Sequence, residues 1–189
     1  MRRGGTRVQR WRVPLGFICA PVFILLAQPT ARTLAAGGAV ALAGLLIRAW
    51  SSGHIRKNER LAVSGPYGYT RNPLYLGSLV MGLGFTIAAS GRAWLLPVLG
   101  GLFAALFLGI YLPVMRVEAA TLAGLFGEEY AAYARAVPLL LPRLTPYRDA
   151  RGESLKFDAQ LYLRYREYRA ALGVLAAFAL LTGKWLLPR

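Results

Sequence analysis

The chain has 189 residues, 56% of them hydrophobic and 16% charged, and its 23 Lys and Arg against 8 Asp and Glu give a formal net charge of +15. A soluble domain carries about 25% charged residues, so this composition, with a mean hydropathy of +0.43, excludes a disordered chain and an ordinary water-soluble core and indicates an integral membrane protein. One cysteine, Cys19, and one histidine, His54, exclude an intrachain disulfide and a zinc site built from Cys or His clusters.

Arg2, Arg3, Arg7, Arg10 and Arg12 precede the first apolar run, residues 13–28. This beginning has the shape of a signal peptide, but the later apolar runs and their charge asymmetry account for the arginines without cleavage. A second run, 33–50, contains Arg48 near its end. Runs at 74–89, 93–115 and 170–188 complete a set of five. A spanning helix needs about 20 residues. The fourth run meets that length, while the first and third are near the lower limit. The expected fold is therefore all-α: a single polytopic membrane domain over 1–189, with about five transmembrane helices and helical polar segments at one face.

The first polar block follows the second run and reads SSGHIRKNERLAVSGPYGYTRNP over 51–73. Ser64-Gly65-Pro66-Tyr67-Gly68 is a turn cluster. Pro73 restricts Asn72 to extended backbone and suits the first turn of a helix, so the third span is predicted to start near Leu74. Arg71 and Asn72 then lie at a helix N-terminus, where unpaired N–H groups and the helix dipole favour an anion. The Arg71 guanidinium adds a bidentate donor for a carboxylate or phosphate. Tyr67, Tyr69 and Tyr75 offer aromatic faces to a flat base or a sulfonium cation. The alternative for this block is an interfacial loop with a tyrosine belt and snorkelling arginines.

The second polar block begins at Arg116. Leu122, Leu125 and Phe126 follow Glu118 at helical offsets, so the fourth span is expected to continue as a helix beyond the membrane. Gly127 suits a helix end, Glu128 and Glu129 the first turn of a new helix, and Tyr130 and Tyr133 share its face before Pro138 and Pro142 end it. Glu118, at or near membrane depth, is expected to be paired or functional, because a carboxylate there is costly. In the segment 145–169, Phe157, Leu161, Tyr165 and Tyr168 give an apolar edge with basic flanks, the pattern of a helix lying along headgroups. It either anchors the chain or covers the region between the first two blocks.

Nineteen of the 23 cations fall in the N-terminal arm, in Arg48 and the first block, and in the segment before the last run; the other four, Arg32, Arg92, Lys184 and Arg189, sort to the opposite side. The positive-inside rule then predicts a cytoplasmic N-terminus and an outside C-terminus, in agreement with the odd number of runs. Dispersal of the charge over three segments suits anionic lipid better than nucleic acid, and no nucleic-acid partner is expected.

Taken in order, Gly65-Pro66-Tyr67, Arg71-Asn72-Pro73-Leu74-Tyr75-Leu76-Gly77, and then Glu118, Leu122, Phe126-Gly127, Tyr130, Tyr133, Pro138 and Leu141-Pro142 resemble the two motifs of the isoprenylcysteine carboxyl methyltransferase and phospholipid methyltransferase-like membrane family. The resemblance covers roughly residues 54–143. It implies an S-adenosylmethionine-dependent methyltransferase whose cofactor lies between the cytoplasmic helix ends and the polar segment that follows. The acceptor, a prenylated cysteine carboxylate or another lipid-like molecule, would arrive from the bilayer. Carried over, Tyr67, Arg71, Asn72, Tyr75, Glu118 and Tyr130 are cofactor-side residues, with Arg71 and Glu118 central to the reaction. His54 and Lys57 stand where polar, substrate-side residues often precede the motif. Two departures stand out: Asn72 replaces the usual His, and Ala119 replaces the second Glu of an acidic pair. They keep open a binding or scaffold protein of the same fold. An NADPH-dependent membrane reductase is the enzymatic rival, disfavoured by the short chain.

Overall fold

A computed structural model describes residues 21–56, 60–148 and 156–187. Among these the protein is all-helical, with no strand and one isolated bridge between Gln28 and Ser90. The elements are α1 (Ala31–Ser52), a short 3-10 turn (Gly65–Gly68), α2 (Pro73–Ala89), α3 (Leu95–Ala136), α4 (Ala159–Arg164) and α5 (Tyr168–Leu186). Three of them, α1, α3 and α5, are long and apolar enough to cross a membrane, and α2 is a shorter apolar helix of 17 residues. The first expected run is described only from residue 21, and residues 21–26 of it are helical.

Helix α1 starts on a reciprocal cap. The Thr30 hydroxyl accepts from the Thr33 amide, and the Thr33 hydroxyl accepts from the Thr30 amide at 2.9 Å. Helix α2 starts at Pro73, as its missing N–H and fixed φ favour. Among the described elements the two helices form the tightest pair. A Cβ on Gly37 would strike the backbone of Gly84 and Ala88, so small residues set the approach. Helix α3 passes through Pro113 and is broken at Gly127, whose φ of 50° and ψ of −124° are open essentially to glycine alone. The expected helix end and restart at Glu128 therefore coincide with a real discontinuity.

The segment 145–169 differs from its expectation. The described part holds only the short α4; Arg166, at φ 56°, turns the chain, and Tyr168 already belongs to α5. The aromatic spacing across 157–168 is thus broken up: Leu161 lies in α4 and Tyr168 in α5, with Phe157 before the first helix and Tyr165 at its end.

Polar contacts sort the elements into two ends. At one end the Gln28 amide donates to the Ala89 carbonyl, and the Lys184 ammonium donates to the Ile24 and Leu25 carbonyls. A core of Ala27, Ala88, Ala89, Leu95, Leu99 and Leu181 fills that end. The opposite end holds Arg48, the 64–73 turn, the second half of α3 and the start of α5, over a second core of Leu61, Tyr130, Tyr133 and Val137. Between the ends, Leu42, Leu46, Val98, Leu108, Leu172 and Leu175 are exposed, as helix faces directed at lipid would be.

Candidate functional site

The 64–73 turn is held by the segment that follows α3. The Arg71 amide donates to the Pro138 carbonyl (3.0 Å), the Arg143 amide to the Tyr69 carbonyl (2.9 Å) and the Tyr147 amide to the Gly68 carbonyl (2.8 Å). Side chains add to this strap. The Thr70 hydroxyl donates to the Leu140 carbonyl, the Asn72 amide to the Leu139 carbonyl and the Tyr133 hydroxyl to the Tyr67 carbonyl, at 2.9, 2.9 and 2.7 Å. The carbonyls released after the end of α3 thereby find donors in a turn some seventy residues earlier, which satisfies buried backbone and fixes the position of Arg71.

Against this turn lies a cavity of about 600 Å³. Its polar wall comes from Tyr67, Arg71 and Asn72 of the turn, and its apolar wall from Ala119, Leu122, Leu125 and Phe126 of α3. Tyr75, Glu118, Tyr130 and Tyr133 complete that region. The Arg71 guanidinium donates to the Tyr130 hydroxyl at 3.2 Å, and the Tyr75 hydroxyl donates to the Glu118 carboxylate at 2.9 Å. Each central charge is therefore oriented by a tyrosine from the other element: Arg71 by α3, Glu118 by α2. Arg71 is partly buried and Glu118 is exposed at the rim.

Two polar atoms here are buried and have no partner, Arg71 Nε and Tyr67 Oη. An unpaired buried donor is costly, so its place on a cavity wall is a reason to expect a ligand acceptor. Burial pushes the Tyr67 phenol well above its ordinary value, so it remains a neutral donor.

Six of the eight residues singled out in the sequence, Tyr67, Arg71, Asn72, Tyr75, Glu118 and Tyr130, line this one cavity. Asn72 also has a structural task, since its side chain leaves the start of α2 uncapped and holds the strap instead. His54 is elsewhere. It is buried, its Nδ1 donates to the Trp50 carbonyl at 2.9 Å, and its ring lies beside Trp50 and Phe157 and against Gly65. Apolar packing around the last turn of α1 holds it there, away from the cavity lining. Lys57 lies outside the described residues.

Sequence reasoning missed a second charged pair on the same cavity, Arg48 and Glu167. They are 119 positions apart, so no local pattern joins them. The available signal was Arg48 itself, a cation inside an apolar run. Among the described residues there is no group of three or more His, Cys, Asp and Glu side chains that could hold a metal ion.

Residues 35–129 match the phospholipid methyltransferase family. The chain is also similar to the cobalt-zinc-cadmium resistance protein CzcN of Cupriavidus metallidurans, with 34% identity over 158 residues, spanning 78% of this chain and 68% of that protein. No solved structure matches.

Proposed function

We propose a function for a chain that belongs to the phospholipid methyltransferase family: transfer of a methyl group from S-adenosylmethionine to a hydrophobic acceptor at the membrane boundary. The acceptor class we assign is a lipid-like small molecule, including a prenylated cysteine carboxylate. The observation that carries this reading is the single cavity lined by Arg71 and Glu118, with the unpaired Arg71 Nε and Tyr67 Oη in its wall.

The residues present suit this cofactor. A cavity of about 600 Å³ falls within the range of about 300–1,000 Å³ usual for small-molecule sites. Arg71 supplies a guanidinium fork for an amino-acid carboxylate. Tyr67, kept protonated by burial, supplies one further O–H donor. Glu118, an acceptor when ionised, matches hydroxyl and amine donors, and Tyr75 fixes its orientation. The apolar wall of α3 faces these groups and takes the less polar parts of donor and acceptor.

When bound, S-adenosylmethionine supplies an electrophilic methyl group for in-line displacement. The protein's share is alignment and exclusion of water, which alone account for a large part of the barrier in such bimolecular steps. Arg71 approaches the cavity from the turn before α2 and Glu118 from α3, so together they fix a ligand at two points. Neither needs to move a proton when the acceptor is itself an anion. Loss of the usual His at position 72 is compatible with this division of labour, because Asn72 serves the strap.

The sidedness that accords with the charge pattern places this end of the bundle, with its arginines, in the cytoplasm and the C-terminus outside. The direct test is incubation of membranes containing the chain with S-adenosylmethionine labelled in its methyl group, followed by organic extraction. Label is expected in a lipid-soluble product, and it should fall to background in Arg71→Ala. Absence of any labelled product from a total lipid extract would reject the assignment.

A further inference from the structure

A charged pair ties the start of helix α5 to the rest of the basic end. Arg48, on α1, donates through Nε and Nη2 to both carboxylate oxygens of Glu167, at 3.0 and 2.9 Å. Its Nη1 donates to the Ser78 hydroxyl at 2.6 Å and to the Leu74 carbonyl at 3.2 Å. The two side chains are only 20% and 13% exposed, and both line the large cavity, on the side formed by α1 and α2. Glu167 is the residue just before α5, and Arg166 before it holds a left-handed backbone at φ 56°, which is strained for a side chain of that size.

A guanidinium held in this way by a hydroxyl, a backbone carbonyl and a carboxylate has an interchangeable partner. The first two come from α2 and are fixed; the third hangs from a chain reversal. A guanidinium fork accepts any planar or tetrahedral oxyanion bidentately. Arg48 also lies within a helix apolar enough to span a membrane, near its end. An amphiphile whose anionic head reaches Arg48 can therefore leave its tail in the bilayer, whereas a cationic head meets repulsion. Exchange of one carboxylate for another oxyanion leaves Arg48 paired, and it frees Glu167 next to Arg164, Arg166 and Arg169 in sequence.

We propose that Arg48 is the anchor for the oxyanion headgroup of a lipid-tailed ligand, and that Glu167 is its resident counter-ion, displaced when that ligand binds. Glu167 then acts as a tethered competitor. It keeps the cavity-facing cation paired when no ligand is present, and it sets a threshold affinity that a headgroup must exceed. The inference rests on the reading that the cavity takes a lipophilic acceptor, but it concerns residues outside the two motifs in sequence.

The test uses the full chain in neutral detergent without methyl donor. Binding of hexadecanoate, hexadecyl phosphate and the uncharged hexadecanol is measured for the wild type, Arg48→Met, Glu167→Gln and the double variant. The wild type should prefer an oxyanion to hexadecanol. Arg48→Met and the double variant, which removes both charges and so leaves none buried alone, should lose that preference. Glu167→Gln should bind the preferred oxyanion at least about tenfold more tightly, since its tethered competitor is gone. The probe with the larger gain identifies carboxylate or phosphate as the headgroup. A pair that served only as a structural clamp would give Glu167→Gln a lower melting temperature and no tighter binding, and that result, or a preference retained in the double variant, overturns the proposal. Because no methyl donor is present, failure here is separate from failure of the methyl-transfer reading, which the incorporation of labelled methyl into a lipid extract decides.

Discussion

At the scale of single residues, the two central charges of the site are each held by a tyrosine. Arg71 is paired with the Tyr130 hydroxyl and Glu118 with the Tyr75 hydroxyl, while Tyr67 presents an unpaired hydroxyl. The raised Tyr67 phenol has a consequence with a definite sign. Burial is its main cause, so the folded chain keeps the proton where the unfolded chain, with an ordinary value of about 10, releases it. The associated stability is complete below about pH 10 and is lost as pH rises above it. Thermal unfolding in detergent should therefore show a plateau through neutral pH and an alkaline decline, and Tyr67→Phe should make that decline shallower. An unchanged alkaline slope in Tyr67→Phe would contradict the buried, neutral phenol. These tyrosines and Arg71 were legible in the sequence because Pro73 announces a helix start and the turn residues precede it. Arg48 and Glu167 were not legible as a pair, because ion pairs between distant segments leave no spacing to read. The surroundings of His54 were not legible for a related reason: a lone histidine beside a basic stretch has the same appearance whether it faces a cavity or packs on Trp50.

At the scale of elements, the second half of α3 matters most. Tyr130 and Tyr133 belong to the piece after the break at Gly127, and from there they reach Arg71 and Tyr67. Gly127→Ala meets open space around its new Cβ but forces an alanine into a backbone region reserved for glycine. The cost is about 1–3 kcal/mol. Thermal unfolding should register that loss, and affinity for the demethylated cofactor should fall with it, since Tyr130 and Tyr133 would shift. Wild-type values of both would show that the break is incidental. The break itself was legible from Gly127-Glu128-Glu129. The interruption of 157–168 was not, since helical spacing of Phe157, Leu161, Tyr165 and Tyr168 is the same whether or not a left-handed residue breaks it.

At the scale of the whole molecule, the described charges separate by end. Arg48, Arg71, Glu118 and Glu167 share one cavity, and Lys184 caps carbonyls at the other end, beside the contact between residue 28 and α2. This separation is what the charge sorting of the sequence expected, because a charge at the end of a spanning helix must settle at one boundary or the other. The number of crossings was less legible: α2, with 17 residues, is short for a span, and apolar length alone does not say how such a helix is tilted. Reporter fusions should place the turn at 64–73 on the cytoplasmic side and the end of α5 outside; fusions giving both on one side would reject that topology.

The central claim is that Arg71, from the turn before α2, and Glu118, from α3, hold one ligand together in one cavity. Calorimetric titration of S-adenosylhomocysteine into the wild type, Arg71→Ala, Glu118→Ala and the double variant tests it most directly. Each single variant should weaken binding roughly ten- to hundredfold, the range for a hydrogen bond to a charged group, with melting temperatures close to the wild type. Wild-type affinity in both single variants would contradict it.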